Sequence, residues 1–270
     1  MLLMKIQAEL RSSLMQRVVP YCVLLPLGYE HRSAAYPVLY LLHGLFGRFD
    51  DWVERTGIVA QAARHHLIIV TPEGGDGWYS DSATAENEKY ESYVICELLP
   101  EIEKQYRTIS KRRGRAIAGL SMGGYGAFKM AIKRPDLYTF AASFSGAFDP
   151  TDRSDDAPGL DWENLRPSIL KAFGGTDCKR RVDNDLFRLI EGLPAGSVPA
   201  LPYFYFDCGN EDSLLQANQR LAQAMTLRGI AHQFQIISGG HDWAYWGGRV
   251  SKLLSLADER LAPVEARREG

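Results

Sequence analysis

What most restricts this chain is a repeating alternation in which short apolar runs, bounded by glycine and proline, are each followed by a stretch with helical periodicity. Strands joined by crossover helices produce that pattern, so it predicts an α/β fold with a mostly parallel sheet and helices on both faces. Strands are expected at 14–26, 37–42, 67–70, 115–120, 138–144, 201–206 and 231–237. The first should be antiparallel, because no helix separates it from the next. The run Pro37-Val-Leu-Tyr-Leu-Leu42 is apolar at every position, as a strand covered on both faces requires. Helices are expected at 50–65, 88–106, 123–133, 213–228 and 244–261. Within the second, Val94, Leu98, Ile102 and Tyr106 keep helical spacing, while Pro100 marks a kink or a new first turn. The parallel sheet should hold five or six strands, and the charged tail after Pro263 should fray.

Residues 147–200 break the rhythm. They begin with the polar stretch Phe148-Asp-Pro-Thr-Asp-Arg-Ser-Asp-Asp156 and carry only short helical patterns. Roughly 50 residues is marginal for an independent core, so the segment reads as a cap-like insertion over one end of the sheet within a single domain, 1–270. Its acidic residues lack the alternating spacing and fixed glycine of a calcium loop and read as solvated.

Charge excludes another class of partner. With 31 Lys+Arg against 33 Asp+Glu there is no field to attract a polyanion, and no nucleic-acid partner is expected. Cysteines 22, 96, 178 and 208 form no C-x-x-C pair and have no metal-ligand spacing with histidine, so they read as isolated thiols, with Cys22 and Cys96 as small buried hydrophobes. The N-terminal residues lack the basic and apolar regions of a secretion signal. No apolar run approaches the roughly 18 residues of a membrane span. A cytoplasmic protein with no membrane partner is the expectation. The glycines at 74, 75 and 77 lack the G-x-G-x-x-G spacing of a nucleotide site. No metal or cofactor is expected, and homo-oligomerisation is left open.

The chemistry centres on Gly119-Leu-Ser121-Met-Gly123, which matches G-x-S-x-G. In that motif a sharp turn between strand and helix lifts a serine hydroxyl above the C-terminal edge of a sheet. The string is short, but here a strand leads into it and a helix of small residues leads out. A serine of ordinary pKa needs a general base, and histidine suits neutral pH. Of six histidines, His241 lies in the loop after the last strand, where the order serine, acid, histidine is satisfied. The acid should follow the penultimate strand, where Asp207, Glu211 and Asp212 are all available. Asp212 leads because its loop can curl toward His241, and Asp207 has a structural alternative as a tie for the turn through backbone N–H groups. Asp242, adjacent to the base, is a poor orienter.

An oxyanion needs two fixed donors. The backbone N–H groups of Met122 and Leu45 are the candidates, the latter in the loop His43-Gly-Leu-Phe-Gly47. His43 is expected to brace that loop. Phe46, Trp78, Tyr79 and Trp243 are the candidate substrate-binding aromatics, with Trp78-Tyr79 the pair expected to line the pocket.

These motifs together resemble the esterase D family of α/β-hydrolases. The resemblance is carried by Tyr40-Leu-Leu-His-Gly-Leu with Trp52 downstream, Gly77-Trp-Tyr, Ala118-Gly-Leu-Ser-Met-Gly-Gly-Tyr-Gly-Ala, Cys208-Gly-Asn-Glu-Asp212 and Gly239-Gly-His-Asp-Trp. It implies an α/β-hydrolase fold, the triad Ser121, Asp212 and His241, and Leu45 and Met122 as oxyanion donors. Within the family the chain is similar to the tributyrin esterase branch, which implies hydrolysis of short acyl esters, acetyl to butyryl, through an acyl-enzyme. Feruloyl or acetylxylan esterase, S-formylglutathione hydrolase and acyltransferase are the alternatives that the resemblance leaves. S-formylglutathione hydrolases usually carry a Ser-Gly-Leu-Thr-Cys type of loop where this chain has His43-Gly-Leu-Phe-Gly47.

Overall fold

The computed structural model of the chain describes residues 3–152 and 160–266. Among the described residues eight strands form one sheet. Strands β1 (Met4–Ser12) and β2 (Arg17–Leu25) pair antiparallel, and β2 lies antiparallel to β5 (Ile68–Pro72). The other five pairings are parallel and join β5, β4 (Val38–Leu42), β6 (Arg115–Leu120), β7 (Phe140–Phe144), β8 (Tyr203–Gly209) and β9 (His232–Ile237). The parallel part thus has six strands, with an antiparallel pair beyond them.

Period-two geometry explains why β4 is apolar throughout. Leu39 and Leu41 enter one core cluster, while Val38, Tyr40 and Leu42 enter the cluster on the opposite face. Each such fully buried side chain contributes about 1.5–3 kcal/mol of transfer free energy. Helix α5 (Met122–Lys133) covers one face, and α10 (Trp243–Arg260) sends Val250, Leu253 and Leu254 into the other cluster.

Several expectations need correction. Strand β1 falls outside the predicted strands, although Ile6, Ala8 and Leu10 alternate with Lys5, Gln7, Glu9 and Arg11 and pack against the core as a half-buried edge. The single helix expected at 50–65 is two, α1 (Asp51–Arg55) and α2 (Ile58–Ala62), because Thr56 turns to extended backbone and its hydroxyl accepts from the Ile58 amide. The stretch at 88–106 starts as α3 (Tyr90–Ser92), widens into a π-helix at Tyr93–Leu98 and ends as α4 (Leu99–Gln105), with Pro100 in the first turn of α4. Cys96 in the π-helix is exposed rather than buried, unlike Cys22. In the tail, β10 (Glu265–Ala266) pairs antiparallel with β3 (Ala34–Ala35) instead of fraying. Residues 267–270 of that tail, and Arg153–Asp156 of the acidic stretch, lie outside the described residues.

Between β7 and β8 the chain forms α6 (Leu160–Phe173), α7 (Lys179–Asp183) and α8 (Leu186–Glu191). Phe173 of α6 packs edge-on against Tyr125 of α5, with ring centroids 5.9 Å apart, and Tyr125 Oη donates to Asn184 O at 2.7 Å. Helix α9 (Leu215–Leu227) connects β8 to β9. Among the described residues no helix is long and apolar enough to cross a membrane.

Candidate active site

The parallel strands β4, β6, β8 and β9 end on one edge of the sheet, and the loops that leave them carry the candidate residues. Ser121 sits between β6 and α5 at φ 50° and ψ −118°, a strained conformation for a residue with a side chain. The turn closes because two glycines leave room. A Cβ on Gly119 would lie 2.4 Å from the Gly123 carbonyl carbon, and one on Gly123 would lie 2.5 Å from both Leu42 O and His43 O. Helix α5 can therefore start directly against β4 and β6, with the serine lifted clear of both.

Ser121 Oγ is 3.1 Å from His241 Nε2, and His241 Nδ1 is 2.9 Å from Asp212 Oδ2. The loops after β8 and β9 are laced together to make this possible. Asn210 N–H donates to Ile237 O at 2.8 Å, Gly239 N–H donates to Asn210 Oδ1 at 3.0 Å, and Glu211 N–H donates to Gly239 O at 3.0 Å. The Asp212 side chain is fully buried, and its Oδ1 accepts the Leu214 amide at 2.8 Å. Burial pulls this carboxyl upward, but the hydrogen bonds from His241 and the Leu214 amide, with the Ser145 hydroxyl nearby, outweigh it. Asp212 therefore sits below the ordinary carboxylate value and stays ionised. The imidazole is two-thirds buried, with Trp246 edge-on at 4.9 Å.

The other acids have different work. Asp207 is fully buried at the end of β8, where its carboxylate accepts from Tyr245 Oη at 2.7 Å, Tyr205 Oη at 2.8 Å and Arg249 Nε at 2.9 Å. It ties β8 to α10 through side chains, a correction to the tie through turn amides. Burial raises its pKa in spite of Arg249. Glu211 is exposed. Asp242 caps α10, its Oδ1 accepting the Tyr245 amide at 2.8 Å.

The Leu45 loop is held from below by the loop that follows β5. His43 Nε2 accepts Gly74 N–H at 2.8 Å, which leaves Nδ1 protonated to donate to Gly44 O at 2.7 Å. Gly47 N–H also donates to Gly44 O, at 3.1 Å. The Gly44–Leu45 peptide is planar, so anchoring its carbonyl on one side turns the Leu45 N–H to the other. Met122 is the first residue of α5, where an N–H has no partner within the helix. Among the described residues neither amide has an internal acceptor.

Two adjoining lobes meet at Ser121 and His241, and Leu45, Phe46 and Leu165 line both. The first, about 300 Å³, is walled by Trp78, Ala147, Ile169 and Leu214; the second is walled by Arg55, Asp242, Trp243 and Trp246. Phe46, Trp78 and Trp243 thus line the cleft, but Tyr79 does not. Trp78 and Tyr79 have consecutive positive φ values of 53° and 45°, which turn Tyr79 into the core. There the tyrosine is fully buried, and its hydroxyl accepts the His43 amide at 2.9 Å.

Sequence reasoning missed the α6 residues Leu165 and Ile169, whose spacing says only that they share a helix face. It also missed Lys129. This fully buried ammonium donates to Tyr79 O at 2.8 Å and to Ser80 Oγ, and it pairs with Glu91 at 2.9 Å. Burial pulls its pKa down to about 8 in spite of Glu91. Lys129 pins the turn that carries Trp78, whose indole Nε1 donates to Ser168 Oγ of α6 at 3.0 Å. Among the described residues no group of three or more His, Cys, Asp or Glu could hold a metal ion.

A family described as "Putative esterase" matches residues 12–255. Esterase Rv1288 of Mycobacterium tuberculosis is 35% identical over 238 residues, which cover 81% of this chain and 51% of that protein. This chain therefore spans about half the length of that relative. An acetyl esterase of Caldicellulosiruptor saccharolyticus is 30% identical over 233 residues, covering 84% of this chain and 83% of its own. Among solved structures, a ferulic acid esterase superposes with a TM-score of 0.81 at 29% identity, covering 96% of this chain and 99% of its own. An S-formylglutathione hydrolase from Agrobacterium tumefaciens, at 22% identity and a TM-score of 0.81 over 96% of each chain, shares the fold. This chain belongs to that putative esterase family and is built on the α/β-hydrolase fold.

Proposed function

We propose that this chain is a serine carboxylesterase that hydrolyses short-chain acyl esters, acetyl to butyryl. The observation that supports this most directly is the hydrogen-bonded series Ser121 Oγ, His241 Nε2, His241 Nδ1, Asp212 Oδ2 at 3.1 and 2.9 Å. In this reading His241 takes the Ser121 proton as Oγ attacks the ester carbonyl, and ionised Asp212 stabilises the imidazolium that forms. The Leu45 and Met122 amides receive the oxyanion. His241 then protonates the departing alkoxide, and water attacks the acyl-enzyme with the same histidine as base. No metal or cofactor enters the proposed scheme.

The leaving oxygen must reach His241, so the alcohol occupies the lobe whose walls, Asp242, Trp243 and Trp246, continue from that histidine. The acyl group then lies in the lobe of Trp78, Leu165 and Ile169, and the segment 147–200 acts as a cap that supplies part of its wall. A second reading, an aromatic acyl group such as ferulate, is favoured by the paired presence of Phe46 and Trp78 in that lobe and by the likeness to a ferulic acid esterase.

The test is p-nitrophenyl acetate hydrolysis with methyl ferulate alongside, and labelling by a fluorophosphonate. The wild type should turn over acetate and be labelled, and Ser121→Ala should lose both. Activity retained by Ser121→Ala would refute the assignment, and preferential turnover of methyl ferulate would select the second reading.

A further inference from the structure

Among the described residues, six other than glycine have positive φ, and four of them, Phe46, Trp78, Tyr79 and Ser121, lie at or under the cleft. The reasons for three are clear, since Ser121 forms the elbow while Trp78 and Tyr79 form the turn held by Lys129. Phe46 is left over. It occupies the third position of the turn Gly44–Gly47 at φ 60°, a value that type II turns reserve for glycine or asparagine. Its amide is fixed by Asp76 Oδ1 at 2.9 Å, so the strained peptide is held in place rather than free to relax. The ring gains little from folding in return, because Phe46 is 69% exposed. A bulky side chain that strains the backbone and stays in water contributes nothing evident to the native state. Yet this ring lines both lobes of the cleft.

We propose that Phe46 is the specificity-determining residue for the acyl chain, its ring leaving water to cover the second to fourth carbons of the bound acyl group. This rests on the esterase reading and deepens it. Being at the mouth rather than the floor of the lobe, the ring adds contact for longer chains instead of limiting their length. It favours butyryl over acetyl, because the acetyl methyl offers it little surface. Strain is retained because a relaxed turn would move the ring off the cleft.

Phe46→Ala and Phe46→Gly test this together, because both delete the ring but only glycine fits φ 60° without strain. The measurements are the ratio of kcat/KM for p-nitrophenyl butyrate to that for p-nitrophenyl acetate, and the thermal midpoint. Each methylene in an apolar pocket is worth about tenfold or more in discrimination, and the ring supplies only part of that contact, so both variants should lower the ratio about tenfold. Phe46→Gly should melt at or above the wild type and about 2 °C or more above Phe46→Ala. A ratio within about twofold of wild type in both variants would overturn the proposal, as would a Phe46→Gly midpoint well below wild type, which would make the ring part of the fold. An inert wild type would instead remove the esterase reading, and this proposal with it.

Discussion

Two buried carboxylates five residues apart flank the end of strand β8, and the structure gives them opposite failure modes when each is changed to asparagine. Asp212→Asn keeps the Leu214 amide bonded to an oxygen, so the fold should lose only about 1 kcal/mol. Its amide, however, presents a donor or a weaker neutral acceptor to His241 Nδ1, which frees the imidazole to take the wrong tautomer. A loss of kcat of about 10⁴-fold is the expected scale. In Asp207→Asn one oxygen must serve three donors, Tyr205 Oη, Tyr245 Oη and Arg249 Nε. Each unsatisfied buried donor costs about 1–3 kcal/mol, and Arg249 keeps some water, so a total of about 3 kcal/mol is reasonable. At roughly 2–4 °C per kcal/mol for a chain of this size, the midpoint should fall by about 10 °C. The assay pairs kcat for p-nitrophenyl acetate with thermal unfolding by circular dichroism at pH 7. Asp212→Asn should lose rate and melt within about 3 °C of wild type, while Asp207→Asn should melt early and keep kcat within about fivefold. A larger loss of kcat in Asp207→Asn than in Asp212→Asn would refute the assignment of the acid.

Lys129→Met removes a buried ammonium from Tyr79 O and Ser80 Oγ and leaves Glu91 to Lys133 alone, so a loss of about 3 kcal/mol and a higher KM through a looser Trp78 wall are expected in unfolding and steady-state assays. Folded Lys129 titrates near 8 against 10.5 for an ordinary lysine, so between those values the unfolded chain holds more protons at this site. Measured against Lys129→Met, wild-type stability should therefore rise with pH across that window, and a flat difference would refute the low value. Gly123→Ala drives a methyl into the Leu42 and His43 carbonyls at the end of β4, so it should lose about 3 kcal/mol and most activity; a variant with wild-type kcat and midpoint would show that the helix can step back.

The parallel core was legible because burial on both faces writes itself into composition. Strands β4 and β6, buried at every position, start and end within a residue of their apolar runs. The Ser121 turn was legible for a related reason, since only small residues let α5 start against β6. The acid was harder. Asp207 and Asp212 flank the same turn, and which one meets His241 depends on Asn210 and Gly239 stitching two loops together across the sheet edge. Strand β1 has strict alternation, yet half of its positions are charged or polar, so its apolar face is visible only once β2 is there to pair with it. Tyr79 shows the limit most clearly. Adjacent to Trp78 in the chain, it faces the other way because two successive left-handed residues rotate it, and nothing in a Trp-Tyr pair announces that rotation.

The crowding around α5 also says where this chain can change. Gly119 and Gly123 touch backbone, Gly124 meets Ser143, and Gly126 meets the Tyr79 ring, all within 2.8 Å of where a Cβ would stand. A mutational library spread over 119–126 would return mostly unfolded protein. On α6 the half-buried Leu165 stands outside that crowding, so a library at this position can sample new acyl preferences while the elbow stays fixed, whereas Ile169, buried in the core, accepts only changes of similar volume.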